Sequence, residues 1–449
     1  MQILMLSSTF PYPPSRGGTQ VRTFHLLKYL SRRHHVILGT LRSPDVTDAQ
    51  IHQLRQQVAE LAVFPHPQIP PQPPLTKGGL RLPPRSWGGT EGGFYAIVGK
   101  LGRFAGFLQS GTPPNVLSSY SPAMQNWVDE LVTAGKCDAI TCEHSVNEIY
   151  VRPQWRQKLL TVVNIHSSVW GTCKQILETG TSENPLRDRL NLPLLARYEK
   201  RYCAKFSRIV ATTSTDKQLL LQLLSPRNME KRIDYFSMPT IEVIPNGVDL
   251  VEFPHRAIDP GGHTLIFAGA MNNLPNIDAA RFLSLEILPI LQQRYPDTTL
   301  TLVGTSPVPS VLALGKLPGI QVLGRVQKVA EYLHQATVCV VPMRIGLGIK
   351  NKTLEAMAAG TPIVASDRGL EGLAIGGESQ PILALRANEV QEYVEAISTL
   401  FENPHLRHEL SQNENPHLRH ELSQNARSHI ETQYTWDTIG RQYDRLLDI

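Results

Sequence analysis

One segment, Pro342 to Val364, combines the residue types needed to hold a phosphorylated ligand. It reads as strand, glycine loop, helix, tight turn and strand. A glycine loop that opens a helix leaves backbone N–H groups unpaired at the positive end of the helix dipole, where an anion is stabilised. From Gly348 and Ile349 through Thr353 and Leu354 the backbone supplies such donors. Arg344, Lys350 and Lys352 add positive charge beside them. Glu355 lies four residues after Asn351, on the same helical face. An ionised carboxylate accepts two hydrogen bonds, which suits the paired hydroxyls of a ribose. Alternatively, Glu355 is a solvated charge on a plain surface helix.

Two other places carry candidate chemistry. Ser7 to Gln20 links the first strand to the first helix and contains Arg16, Gly17 and Gly18. The glycine pair lets backbone approach a ligand closely, unless this is an ordinary strand-to-helix loop. Arg16 and Arg22 serve either phosphate binding or solvation of the helix. Glu143 and His144 follow one predicted strand, and His166 follows another. Residues at strand carboxyl ends face the ligand crevice in open α/β sheets. A structural histidine is the alternative at each position.

These residues need a scaffold that gathers loops from distant parts of the chain. Apolar runs at 2–7, 35–40, 138–142, 159–164 and 207–211 alternate with amphipathic stretches, and so do runs at 264–268, 299–303, 320–323, 338–341 and 362–365. Helical patterns cover 187–204, 276–294, 327–336 and 387–401. The alternation predicts an α/β protein with two doubly wound parallel-sheet domains, 1–240 and 241–432, facing a central cleft. A final helix, 433–449, is expected to return to the first domain. The junction is Val243 to Asp249, where Pro245-Asn246-Gly247 is turn chemistry. Residues 64–93 are rich in Pro and Gly and read as a mobile insertion. Glu402–Asn413 recurs identically as Glu414–Asn425, a tandem duplication too short to build a solenoid.

Composition narrows the function classes. With 41% hydrophobic and 18% charged residues, the chain is globular rather than disordered. A net charge of +5 over 449 residues fits an anionic substrate but not the dense basic stripe of a nucleic-acid binder. The five cysteines show no CxxC pair, so neither a zinc site nor a disulfide framework is expected, and a cytoplasmic protein is. No run approaches the ~20 apolar residues of a membrane span. The stretch from Phe94 to Leu108, with Lys100 and Arg103, is either a helix packed on its own sheet or a peripheral contact with anionic membrane.

Taken together, these blocks resemble glycosyltransferase family 4, whose members are retaining enzymes of the GT-B fold. Ile244 to Asp249 resembles the family's interdomain segment, and Thr353 to Val364 its donor-site signature. Phe267 to Met271, Pro275-Asn276 and Gly369 to Leu373 resemble blocks of a bacterial exopolysaccharide-type subgroup. The resemblance implies two Rossmann-like domains and a nucleotide-diphosphate sugar as co-substrate, with no cofactor and no metal. It implies a glycan or lipid-linked acceptor. Glu355 takes the role of the ribose-binding glutamate, Gly17, Gly18 and Gly269 flank the diphosphate, and His166 touches the transferring sugar. Arg16, Glu143 and His144 fall on the acceptor or sugar side.

Two positions depart from the family pattern. Leu347 stands where most members carry a second glutamate that touches the sugar. Ala270-Met271-Asn272-Asn273 replaces the stretch that normally supplies cations for the diphosphate. Arg344, Lys350 or Lys352 is therefore expected to substitute, because a diphosphate without cations binds poorly in a closed cleft. A sugar-nucleotide epimerase and a catalytically degenerate nucleotide-sugar-binding protein are the competing readings.

Overall fold

The computed structural model describes residues 1–14, 17–67, 106–182, 184–225, 238–373, 382–402 and 418–448. Two all-parallel sheets follow each other along the chain. The first contains β1 (Gln2–Ser7), β2 (His35–Arg42), β3 (Glu60–Pro65), β4 (Ala139–Cys142), β5 (Leu160–Ile165), β6 (Arg208–Ala211) and β7 (Thr240–Val243). Its strand order is β3-β2-β1-β4-β5-β6-β7. The second contains β8 (Thr264–Ala268), β9 (Thr299–Val303), β10 (Ile320–Leu323), β11 (Val338–Val341), β12 (Ile363–Ala365) and β13 (Leu385–Arg386), ordered β10-β9-β8-β11-β12-β13. This is the GT-B arrangement of two Rossmann-like domains.

The apolar runs form strands because helices cover both sheet faces. Ile3, Leu4, Met5 and Leu6 alternate across the first sheet, yet all four are fully buried. In each sheet the chain reverses its direction of winding once, between β1 and β4 and between β8 and β11. Crevices open beyond the strand ends at such points. Ser7, Cys142, Ala268 and Val341 are the last residues of those four strands, so the candidate loops begin where the topology leaves space.

Three strands lie outside the ten apolar runs: β7, which runs into the Pro245-Asn246-Gly247 turn, and β3 and β13, which were not foreseen; all three are sheet edges. Pro65 closes β3, and an edge strand tolerates proline because one side of its backbone is unpaired. The Pro/Gly-rich stretch therefore starts after Pro65 rather than at residue 64. Residues 68–93, residues 94–105 of the amphipathic stretch, and residues 403–417 of the duplication lie outside the described residues. Within 106–108, Phe107 is buried in the first core and Leu108 is exposed.

The first domain also extends further than position 240. β7 pairs with β6 from Thr240↔Arg208 to Val243↔Ala211, so the chain crosses to the second domain at Ile244–Val248. It crosses back beside the same point. Val248 N donates to Tyr434 O at 2.8 Å, and Val248 bridges Thr435. The helix Trp436–Leu447 then packs along Gly18–Leu30. Trp436 stacks on His25 with ring centroids 4.8 Å apart and 1° between planes. Asp444 receives Arg33 at 2.8 Å and His34 at 2.6 Å. At Gly440 a Cβ would stand 2.2 Å from the Tyr29 ring. Gly440→Val should therefore lift this helix off the first domain and cost about 1–3 kcal/mol. Thermal unfolding checks it: the midpoint should fall, and an unchanged midpoint contradicts the packing described.

Candidate functional site

On the second domain, the site is built where β11 runs into the glycine loop. Gly346 and Gly348 have φ of 97° and 85°, a conformation that side chains with a Cβ resist. At Gly348 there is no room either, because a Cβ would lie 2.6 Å from the carbonyl oxygen of His166. The loop thus docks directly on the first domain. Gly346 N donates to Gln175 Oε1 at 3.3 Å, and Leu347 packs over Gly171, where a Cβ would lie 3.2 Å from its Cδ1. The Asn351–Ala359 helix starts from this loop with Lys350 at the cap position and no side chain satisfying its first N–H groups. Leu354, Met357 and Ala358 are fully buried and fix the helix on its sheet.

The charges on this element have distinct surroundings. Lys350 Nζ donates to the carbonyl oxygens of Gly346 and Gly348 and pairs with Glu371 at 3.6 Å. Burial lowers its pKa to about 8, with Glu371 opposing. It braces the loop. Lys352 reaches instead toward the end of β8. Its Nζ donates to Asn276 Oδ1, sits 4.4 Å from the Phe267 ring centroid, and would touch a Cβ on Gly269 at 2.9 Å. Burial and then Lys350 lower its pKa to about 7. Glu355 is pushed up to about 7 by burial and by Glu252, with Lys352 opposing. It forms no hydrogen bond with a described residue.

Across the cleft, Gly17 caps the Gly18–Leu30 helix with extended backbone and no side-chain hydrogen bond. A Cβ on Gly17 would meet nothing within 4 Å, whereas one on Gly18 would stand 3.4 Å from Asn351 Nδ2. The glycine pair and the start of the Asn351 helix therefore face each other. His166 stands beside them. Its Nδ1 is 3.4 Å from Thr19 Oγ1, and its Nε2 is buried without a partner. His144 packs edge-on against it, ring centroids 5.0 Å apart. Burial lowers the pKa of His144 to about 4, and burial, His144 and Arg22 hold His166 well below its ordinary value. Both rings are neutral at pH 7. His144 also adopts φ 98°, a strained conformation for a side-chain-bearing residue, and its Nδ1 accepts from Val146 N at 3.3 Å.

Behind these loops lies a polar chain. Arg22 is fully buried. Its Nη1 donates to Pro245 O and Asn246 Oδ1, both at 2.8 Å, and its Nη2 to Ile244 O at 3.1 Å and Asn164 Oδ1 at 3.3 Å. Asn164 Nδ2 donates to Glu143 Oε1 at 3.1 Å and to Tyr443 Oη at 2.8 Å. Asn246 Nδ2 donates to Asn351 Oδ1 at 2.8 Å. Burial raises the Glu143 carboxyl to about 7, with Arg22 opposing. Both domains, the junction and the returning helix meet in this chain.

The structure gathers most of the sequence-derived candidates. Gly17, Gly18, Gly269, His144, His166, Gly348, Lys350, Lys352 and Glu355 lie around one cleft, whereas Ile349, Thr353 and Leu354 are buried and the N–H groups of Thr353 and Leu354 already donate to Lys350 O. Arg16 lies outside the described residues. Glu143 supports the cleft from behind. Arg344 does not join it: a guanidinium geometry matched to a carboxylate pairs it with Asp278 at 3.0 and 2.5 Å, over the Phe282 ring. Arg22 neither solvates its helix nor points at the cleft. Asn246 and Asn164 were missed because turn chemistry and a strand end explain them without any partner. Among the described residues no group of three or more His, Cys, Asp or Glu is gathered as a metal site, and no helix is long and apolar enough to cross a membrane. All five cysteines are buried free thiols.

Known proteins share parts of this chain. Residues 262–403, most of the second domain, match the family model of Glycosyl transferases group 1. Phosphatidyl-myo-inositol mannosyltransferase of Mycobacterium tuberculosis is 35% identical over 132 residues, 28% of this chain and 34% of that protein. The protein of the same name from Mycolicibacterium smegmatis is 34% identical over 132 residues. The matched part thus spans about a third of these curated relatives. Among solved structures, Anabaena HepE in complex with UDP superposes with a TM-score of 0.59 at 16% identity, covering 100% of this chain and 99% of that one. Staphylococcus aureus TarM, solved with UDP, gives 0.58 at 10% identity, covering both chains fully at 100%. These likenesses show the fold.

The Glu355 carboxyl makes the site testable without a ligand. Its pKa in the fold is about 7, against an ordinary 4.5. Between these values the unfolded chain releases the proton while the folded chain keeps it. The carboxyl's contribution to stability is therefore full below pH 4.5 and is lost as pH rises through 7. Glu355→Gln should change stability little near pH 5 and add about 2–3 kcal/mol at pH 8. Thermal melts of both proteins across that range check it. A difference independent of pH contradicts the carboxyl's environment.

Proposed function

We propose that this protein is a glycosyltransferase that moves a sugar from a nucleoside-diphosphate sugar to a hydroxyl with retention of configuration, using no metal. One observation carries this reading. The uncapped Asn351–Ala359 helix, with Lys352 and an unpartnered Glu355, faces Gly17, Gly18 and His166 across the cleft between two Rossmann-like domains. The group 1 match over residues 262–403 supports the same assignment for the second domain. The UDP bound in HepE and TarM supports a uridine-diphosphate sugar as the first donor to test. The mannosyltransferase relatives support a hexose.

In this reading the diphosphate lies against the N–H groups from Gly348 to Lys352, with the Lys352 side chain beside it. Glu355 accepts the ribose hydroxyls. His166, neutral, offers Nε2 to the sugar and cannot repel the leaving group's cationic partners. The acceptor oxygen attacks the anomeric carbon from the face on which the anomeric C–O bond breaks. The electron pair of that bond goes to the diphosphate, which takes up the acceptor's proton. Oriented donors matter most in such a step, because negative charge grows on the leaving oxygen as the bond lengthens. Leu347, packed on Gly171, excludes water where the family pattern has a carboxylate. The proposed setting is exopolysaccharide or other cell-surface glycan synthesis on the cytoplasmic side, with a saccharide or lipid-linked acceptor.

Lysine at position 352 is the cation assigned to the diphosphate. Lys352→Ala should weaken donor binding by about 10–100-fold, whereas Arg344→Ala should leave it unchanged. Titration calorimetry with UDP and its sugars measures both; equal affinities across the three proteins sink the assignment. A thermal-shift screen of nucleoside diphosphates and their sugars finds the donor first. Product analysis then decides the reaction. A glycoside with the donor's anomeric configuration, formed undiminished in EDTA, is expected with acceptor present. An epimerised nucleotide sugar formed without acceptor points to the epimerase, and binding without turnover to a degenerate protein.

A further inference from the structure

Arginine has only donors, and this dictates the direction of every hydrogen bond that follows from Arg22. Arg22 Nη1 is 2.8 Å from an Asn246 side-chain atom, which must be the oxygen. The nitrogen of the same amide then has to point the other way, and it is 2.8 Å from the Asn351 side chain. That atom must be the Asn351 oxygen. The Asn351 NH2 group is left facing outward from the relay, toward Gly18, whose Cβ position is 3.4 Å away. A buried guanidinium thus fixes the rotation of two amides in series and delivers a donor to the cleft. Either amide turned over would set two donors against each other.

The region receiving this donor already contains features suited to an anion. Asn351 is the first residue of a nine-residue helix whose leading N–H groups lack a side-chain cap. His166 Nε2 is buried nearby without a partner. We infer that the Asn351 carboxamide is a further diphosphate ligand, with Arg22 and Asn246 as positioning residues that set its orientation. The inference rests on the donor site proposed above and adds a ligand and a mechanism for its alignment. Asn246 and Arg22 touch no substrate in this arrangement.

The relay predicts an effect that contact alone does not. Asn246→Asp keeps an acceptor for Arg22, and pairs with it more strongly, but has no proton for Asn351 Oδ1. The Asn351 amide is then free to turn its oxygen to the cleft. Calorimetric titration with UDP, UMP and inorganic pyrophosphate, alongside melting curves, tests this on the full chain. Asn351→Asp should lower UDP affinity at least ~10-fold and Asn351→Ala ~3–10-fold, with UMP less affected. Asn246→Asp should lower UDP affinity several-fold while the melting midpoint holds or rises. That loss should vanish in the Asn351→Ala background. Wild-type affinity in Asn351→Asp overturns the ligand assignment. A loss from Asn246→Asp that persists undiminished in the Asn351→Ala background overturns the relay. If the wild-type chain binds UDP-sugar, UDP and pyrophosphate not at all, the donor site falls, and this inference with it.

Discussion

A guanidinium with no access to water governs this architecture. Removing such a charge from solvent costs several kcal/mol unless hydrogen bonds and an opposite charge replace the lost hydration. Arg22 obtains those partners from places far apart in the chain: carbonyls at Ile244 and Pro245, amides at Asn164 and Asn246, and Glu143 through the Asn164 amide. The set is complete only when the first sheet and the junction have assembled, and the returning helix then secures Asn164 through Tyr443. The junction is consequently anchored rather than loosely linked. Burial still lowers the Arg22 pKa, with Glu143 and Tyr443 opposing, so the compensation is partial and the remaining carboxyl oxygen of Glu143 is unpaired.

The cleft itself shows a complementary imbalance. Lys352 is held near 7 from above and Glu355 near 7 from below, each by desolvation. Glu355 has no hydrogen bond with a described residue, whereas Lys352 keeps Asn276 and the Phe267 ring; buried charges perturbed in this way cluster at functional sites. Lys350 is the contrast. It lies two residues away but is spent on two loop carbonyls and Glu371. Positions 350 and 352 therefore divide the labour that sequence alone left undivided: one shapes the loop, the other carries charge to Gly269.

The elements that could be read from sequence were those whose signal is local. Central strands are continuous apolar runs, and the Asn351–Ala359 helix begins after glycines and ends at Gly360, which adopts left-handed backbone. β3 and β13 escaped notice because an edge strand needs neither two buried faces nor freedom from proline. Arg22 escaped for a different reason. Nothing in the pattern Gly18 to Leu30 distinguishes an arginine facing water from one whose partners lie 142 to 224 positions away. Arg344 shows the converse failure, since its position beside the glycine loop suggested a phosphate while Asp278, one strand crossing away, already claims it.

The double crossing at Val248 and Tyr434–Thr435 means that the second domain is topologically an insertion within the first. On a ribosome, residues 1–243 emerge well before residues 436–447, with roughly 190 residues in between. At ordinary elongation rates that interval is on the order of 10–40 s. Throughout it, Tyr29 and His25 lack the covering of Trp436 and Ile439, and Asn164 lacks Tyr443. The nascent first domain waits with an apolar groove open, so chaperone occupancy during synthesis should concentrate along the Gly18–Leu30 helix.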